Sequence, residues 1–329
     1  MLSTHDTIAA SSTHPRQRAA RHAPAPHRWQ AMAAVAKAAL LAAFAIVCGV
    51  LPWAAQAGDG PFLKDGPVNE RNIRHGSFYQ GSQNCADVFT PLITNTWCAK
   101  TTNDPVVALI GDSHAGQMYL GVRDTHDPVF SKVIYMGAGS CYPTVGHDSR
   151  EGCGKQLDLA FKIADGMKSI QYVVIGAYYG WSVQVPDAAA AAVFIEGYRK
   201  TIDHFLASGK HVVFLIDNPV LGFDSEACRA RKRPIGKALS LVGSKPPVCP
   251  GEYTSNLADQ SHYRTYISQL IAAYPNVLFY DPKKKLCPEG PCRIIKDGLL
   301  LYSDDNHLSQ YGAAYVAEDL VKDMKRRWQ

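Results

Sequence analysis

The sequence predicts an α/β protein with a mostly parallel sheet and helices on both faces. From residue 105 onward, short apolar runs alternate with longer stretches whose apolar residues recur every three or four positions. That is the pattern of strands joined through crossover helices. The first run, Val106-Val107-Ala108-Leu109-Ile110, is apolar throughout and leads straight into Gly111-Asp112-Ser113-His114. A strand buried on both faces reads this way. Its carboxyl end is where open parallel sheets place their ligands.

The elements follow in order. The first strand covers Val106 to Ile110, and a helix is expected from Gln117 to Asp124. A second strand, Lys132 to Met136, ends at Gly137-Ala138-Gly139-Ser140. Leu157, Phe161, Ala164 and Met167 make one face of a helix over Lys155–Lys168. Strand three is Tyr172 to Ile175. A long helix from Asp187 to Ser208 has Phe194, Tyr198, Ile202, Phe205 and Leu206 as its stripe and Gly209 at its stop. Strand four, His211 to Ile216, precedes an irregular stretch. A helix over Leu257–Ala273, strand five (Val277 to Tyr280) and a last helix from Gln310 to Arg326 complete the domain. Ser309 is the candidate N-cap of that last helix.

The expected boundaries are a leader over 1–57, an N-terminal extension over 58–104 and the α/β domain over 105–329. Residues 38 to 55 are uncharged, Lys37 precedes them, and Ala55-Gln56-Ala57 follows as a small-x-small site. This predicts a secretory signal cut after Ala57, with Met1 or Met32 as the start. An uncleaved membrane anchor is the rival reading, since an apolar run of about 18 residues is borderline for spanning. The 58–104 segment is rich in Gly, Pro, Asn and Thr and reads as irregular chain packed on the main domain.

The net charge of +5 comes mostly from the leader, which holds Arg16, Arg18, Arg21, Arg28 and Lys37 against Asp6. The remainder has 29 basic and 28 acidic residues, so nothing points to a nucleic-acid partner. Beyond Cys48 in the leader there are eight cysteines, and an even number in an exported chain predicts disulfides. They fall into local couples: Cys85 with Cys98, Cys141 with Cys153, Cys228 with Cys249, and Cys287 with Cys292. No Cys-x-x-Cys pair suggests a metal site instead.

Chemistry concentrates in two places. Ser113 stands at a strand end, where a serine can act as nucleophile if a base reaches it. Near the C-terminus, Ser303-Asp304-Asp305-Asn306-His307-Leu308-Ser309 sets an acid three residues before a histidine in a loop. A carboxylate so placed can orient the imidazole while the other ring nitrogen takes the serine proton. The bland alternatives are a capping role for Ser113 and loop-amide contacts for Asp304. Asp305 is the competing acid and His114 the competing base. Asp-Asp-Asn-His as a metal cluster lacks further ligands at regular spacing.

These residues resemble the SGNH hydrolase superfamily. More closely, they resemble the extracytoplasmic SGNH domains attached to integral-membrane acyltransferases that O-acylate bacterial surface glycans. The likeness includes Leu286-Cys287-Pro288 through Cys292, Asp297-Gly298, Leu301-Tyr302 and Gly312-Ala313, and spans residues 100 to 320. It implies a flavodoxin-like three-layer sandwich with a five-stranded, mostly parallel sheet. It also implies Ser113 as nucleophile, His307 as base, Asp304 as orienting acid, and no cofactor or metal. Oxyanion donors implied are the Ser113 amide, a glycine after strand two (Gly139 rather than Gly137) and an asparagine after strand three. At that last place the chain reads Gly176-Ala177-Tyr178, so Tyr178 stands where Gly-x-Asn puts asparagine. Losing one such donor can slow catalysis by about 10²–10³.

The expected function is an exported serine esterase or O-acyltransferase moving acyl groups, acetyl first, on a cell-envelope polysaccharide. The chain carries one apolar run in place of the multi-span acyl exporter of these relatives. A transferase of this kind is therefore expected to receive its acyl group from an integral-membrane partner. The rival is a non-catalytic glycan-binding or scaffolding subunit; a metal-dependent hydrolase comes third. Arg229, Arg231, Lys232 and Arg233 read as a solvated basic loop ahead of an anion site. Tyr178, Tyr179 and Trp181 read equally as sugar-stacking or core aromatics.

Overall fold

The computed structural model describes residues 83–329 except 86, 147, 180–187, 222, 224, 226–251, 254–259 and 298. The leader, its cleavage site, the basic cluster from Arg229 to Arg233, and Trp181 lie outside the described residues. A seven-stranded sheet forms the middle layer. Its members are β1 (Gln83–Asn84), β2 (Thr96–Lys100), β3 (Val107–Gly111), β4 (Val133–Ala138), β5 (Tyr172–Gly176), β6 (His211–Leu215) and β8 (Leu278–Tyr280). They lie in the order β1-β2-β4-β3-β5-β6-β8. From β4 to β8 all neighbours are parallel. This five-stranded block has the doubly wound, flavodoxin-like order that the family resemblance implies, with its switch point between β3 and β5.

Alternate residues of each strand feed two separate cores, the period-2 consequence of a sheet covered on both faces. Leu109, Tyr135, Val174 and Val213 face one core, which α1 (Ser113–Asp124) and α6 (Gln310–Trp328) close. Ile110, Ile134, Ile175 and Phe214 face the other, under α2 (Cys153–Gly166), α3 (Ala188–Ala207) and α4 (Ser261–Ala273). The shorter elements are β7 (Glu252–Tyr253), α5 (Lys283–Leu286), β9 (Cys292–Arg293), β10 (Ile295–Lys296) and β11 (Leu299–Leu300). Among the described residues no helix is long and apolar enough to cross a membrane.

Two expectations differ from the structure. The composition before residue 105 predicts irregular chain, yet Thr96–Lys100 pairs antiparallel with β4 along its whole length, and Gln83–Asn84 pairs with it in turn. Its sequence, Thr-Trp-Cys-Ala-Lys, has no clean alternation. Pairing with the β4 edge of the parallel block decides its structure. The helix expected to begin at Gln117 begins at Ser113, because the Asp112 carboxylate accepts the His114 amide and caps it.

Three of the four expected cysteine couples are disulfides: Cys85–Cys98, Cys141–Cys153 and Cys287–Cys292. The first ties the segment before β2 back to that strand. The second ties the loop after β4 to the start of α2. The fourth expected couple is Cys228 with Cys249. Both Cys228 and Cys249 lie outside the described residues.

Candidate active site

The site begins with a row of glycines. Gly111, Gly137 and Gly176 are register partners at the carboxyl ends of β3, β4 and β5. Gly111 has φ +152°, and a Cβ there would run into the Gly176 carbonyl oxygen. Only glycine allows this turn, and the turn puts Ser113 at the first position of α1.

Asp112 fixes the turn from three sides. Its Oδ1 accepts the His114 amide at 2.8 Å, and its Oδ2 accepts the Tyr178 amide at 2.9 Å. The Tyr135 hydroxyl donates to its carbonyl at 2.9 Å. Burial raises the Asp112 carboxyl pKa, while the nearby His114 and the two amides work against that rise.

The second half of the site comes from the loop before α6. Tyr302 and Leu308 form an antiparallel bridge that pinches residues 303–307 into a tight loop. The Ser303 amide donates to the His307 carbonyl at 2.9 Å. Inside the loop, Asp304 Oδ1 accepts the amides of Asn306 (3.0 Å) and His307 (2.6 Å). The same carboxylate meets His307 Nδ1 at 3.0 Å through Oδ2. Burial pushes the Asp304 carboxyl up, but the His307 ring and the two amides together hold it well below the ordinary carboxylate range.

His307 Nε2 lies 2.8 Å from Ser113 Oγ. Serine, imidazole and carboxylate thus stand in one hydrogen-bonded line, with the two chain halves brought together over 194 residues. The His307 and Asp304 side chains keep 25% and 28% of their surface, so the line opens to solvent. Asp305 points elsewhere. Its carboxylate is exposed and accepts from Asn306 Nδ2, and its carbonyl accepts from the Leu221 amide.

At two of the expected oxyanion positions, Gly139 and Tyr178, the backbone amides are engaged. The Gly139 amide donates to the Asn95 carbonyl at 2.9 Å, continuing the β2–β4 pairing, so this donor is taken by the sheet edge. The Tyr178 amide is likewise held by Asp112. The Ser113 amide belongs to the first turn of α1, where no carbonyl four residues earlier exists within the helix. Tyr178 places its ring 4.8 Å from that of His114, while Tyr179 is buried among Phe194, Tyr198 and Tyr263 as a core residue.

Sequence reasoning missed a third contributor, the turn after β6. His114 Nδ1 meets Asp217 Oδ1 at 2.6 Å, and both side chains are buried. Burial alone would lower the His114 pKa; the Asp217 charge and hydrogen bond, with Asp112 behind, raise it instead to about 9. Asn218 Oδ1 accepts from Gln117 Nε2, and Asn218 Nδ2 donates to the Asn306 carbonyl, both at 2.8 Å. The signal was available: Asp217-Asn218-Pro219 follows a strand at its carboxyl end, the same placement that singled out Ser113. Among the described residues no group of acidic, histidine or cysteine side chains is arranged to hold a metal ion.

A sequence model of the SGNH domain (fused to AT3 domains) matches residues 84–322. No curated protein sequence matches the chain. Among solved structures, the periplasmic domain of a lipopolysaccharide acetyltransferase of Salmonella ser. Paratyphi A superposes with a TM-score of 0.51 at 16% identity, covering 68% of this chain and 85% of that one. A putative acylhydrolase from Bacteroides fragilis gives 0.42 at 14% identity, over 69% of this chain and 88% of that one. A GDSL-like lipase from Bacteroides thetaiotaomicron gives 0.40 at 14% identity, over 70% and 94%.

Proposed function

Because the chain belongs to the family of SGNH domains fused to AT3 domains, we propose that it is an extracytoplasmic serine esterase or O-acyltransferase. It carries an acyl group, acetyl first, to or from a cell-envelope polysaccharide through Ser113. The observation that carries this reading is the 2.8 Å contact between Ser113 Oγ and His307 Nε2, with Asp304 on the other ring nitrogen. That is the arrangement of nucleophile, base and orienting acid that acyl transfer uses on several unrelated folds.

In this reading His307 Nε2 takes the Ser113 proton as Oγ bonds to the ester carbonyl carbon. The carbonyl π pair moves onto oxygen, toward the Ser113 amide at the positive end of α1. Collapse expels the donor alkoxide, His307 returns the proton to it, and acyl-Ser113 remains. A second hydroxyl then gives its proton to His307 and attacks the acyl carbon, and His307 passes that proton to Ser113 Oγ as the acyl–Oγ bond breaks. Water as that hydroxyl makes an esterase; a sugar hydroxyl makes a transferase. The disulfides support an oxidising compartment, the Salmonella likeness supports a periplasmic setting, and the fusion of the family's SGNH domains to AT3 domains supports a membrane acyl-donor partner.

The engaged Gly139 and Tyr178 amides favour a second reading, a glycan-binding subunit without turnover. A fluorophosphonate probe separates the two. We expect labelling of the wild type that Ser113→Ala abolishes; a folded wild type that stays unlabelled and inert toward 4-nitrophenyl acetate sinks the catalytic reading. Envelope O-acyl content in a Ser113→Ala strain then distinguishes esterase, with more ester, from transferase, with less.

A further inference from the structure

We propose that His114 and Asp217 form a second imidazole–carboxylate pair that positions the loop carrying Asp304 and His307, acting through Asn306. This rests on the reading of Ser113, Asp304 and His307 as the acyl-transfer site. The pair is costly to bury: its side chains retain only 3% and 1% of their surface. A well-packed apolar pair would serve stability as well or better, which points to a role beyond stability.

The geometry supplies that role. His114 follows the nucleophile directly, and its ring lies 4.6 Å from the His307 ring. Both of its nitrogens face partners, Nδ1 toward Asp217 and Nε2 toward Asn306 Oδ1 at 3.4 Å. His114 is therefore not the group that takes the serine proton. Doubly protonated, it donates on both sides and orients the Asn306 amide with its oxygen inward. The Asn306 nitrogen then turns to Asp305, as observed. A neutral ring with its proton on Nδ1 would set a lone pair against the Asn306 oxygen, so that the Asn306 amide would have to flip and give up its contact with Asp305. The groups facing His114 are Asp112 beneath it, Asp217 beyond β6, Tyr178 beyond β5 and His307 with Asp304 behind. The carboxylates among them favour the charged ring.

The clamp closes through a second path. Asn218 holds the Asn306 carbonyl, Gln117 holds Asn218, and the Leu308 amide donates to Gln117 Oε1 at 2.6 Å. Helix α1 and the turn after β6 thus grip the base-bearing loop on both sides of His307. Displacement of a reacting group by about 1 Å can slow a reaction about 10²-fold, so this grip bears on rate more than on substrate binding.

The test is a double-mutant cycle of His114→Gln and Asn306→Ala on 4-nitrophenyl acetate turnover. Each single variant is expected to lower kcat about 10–100-fold with KM within about twofold, and the double variant to be no slower than the slower single. Losses that multiply, or a His114→Gln kcat within about threefold of wild type, overturn the proposal. Should His114→Gln not fold, Asp217→Asn, which removes the charge that holds the ring protonated, is expected to give the same kcat loss. A ¹⁵N NMR measurement reads the same inference without turnover. His114 is expected to carry protons on both nitrogens at pH 7.5, and the amides of Asn306 to Leu308 to shift in the variant. A neutral His114, or unmoved amides, overturns it. If the wild type neither turns over nor labels, the acyl-transfer reading falls and the NMR result alone decides the positioning of the loop.

Discussion

Asp304 and His114 are tuned in opposite senses, and pH reads each of them. Asp304 is held below its ordinary value of 3.8 by His307 and two amides. Its contribution to stability is complete above that value and lost as pH falls through the lower folded value. Asp304→Asn should therefore be less stable than wild type at pH 6, with the gap closing in acid. The same change should lower the labelling rate of Ser113 about 10³–10⁴-fold, since an amide fixes the wrong tautomer. Equal stability differences at pH 3 and pH 6 would show that the carboxylate is not held as described. His114 runs the other way. Raised from 6.5 to about 9, its contribution is complete below 6.5 and lost as pH rises through 9. Urea midpoints of the wild type should fall between pH 6.5 and 9.5 more steeply than those of His114→Gln; parallel profiles would contradict a charged His114.

At the scale of elements, the site depends on how closely α1 approaches α6. Ser113 starts one helix and the His307 loop leads into the other. They meet at Gly121, where a Cβ would strike the Ala313 carbonyl and the Ala317 methyl. Gly121→Val must push the helices apart, at a cost of about 3 kcal/mol in urea unfolding, and should slow Ser113 labelling more than it lowers stability. A change under about 1 kcal/mol would mean the crossing is looser than the backbone contact indicates. The α6 start was legible from Ser309, whose hydroxyl accepts the Gly312 amide at 2.9 Å. The α1 start was not, because Asp112 serves at once as a cap and as a ligand of the Tyr178 amide from another strand.

For the whole molecule, the disulfides close loops on opposite sides of the sheet and act on the unfolded chain. On the loop-entropy account, the Cys141–Cys153 bridge, with a separation of 12, contributes about 3 kcal/mol and the Cys287–Cys292 bridge, with a separation of 5, about 2 kcal/mol. Replacing each pair by serines and measuring urea unfolding should give that order; a larger loss from the Cys287–Cys292 pair would indicate that native contacts dominate. The parallel α/β core, four local cysteine couples (three of them observed as disulfides) and the candidate trio of Ser113, Asp304 and His307 were legible in the sequence. Each of these starts from short-range patterns, a strand-then-glycine run, paired cysteines a few residues apart, and an acid three positions before a histidine; the family resemblance joined Ser113 to the distant Asp304–His307 pair. Long-range packing settles that β2 extends the sheet, that the Gly139 amide is taken by Asn95, and that Asp217 and Asn218 reach the site. Those contacts join residues that no period or spacing relates, 103 apart for Asp217 and His114 and 88 apart for Asn218 and Asn306. Local pattern sets which residues face a core or end a strand; which strand ends share one cleft is set by the order in which the strands pack.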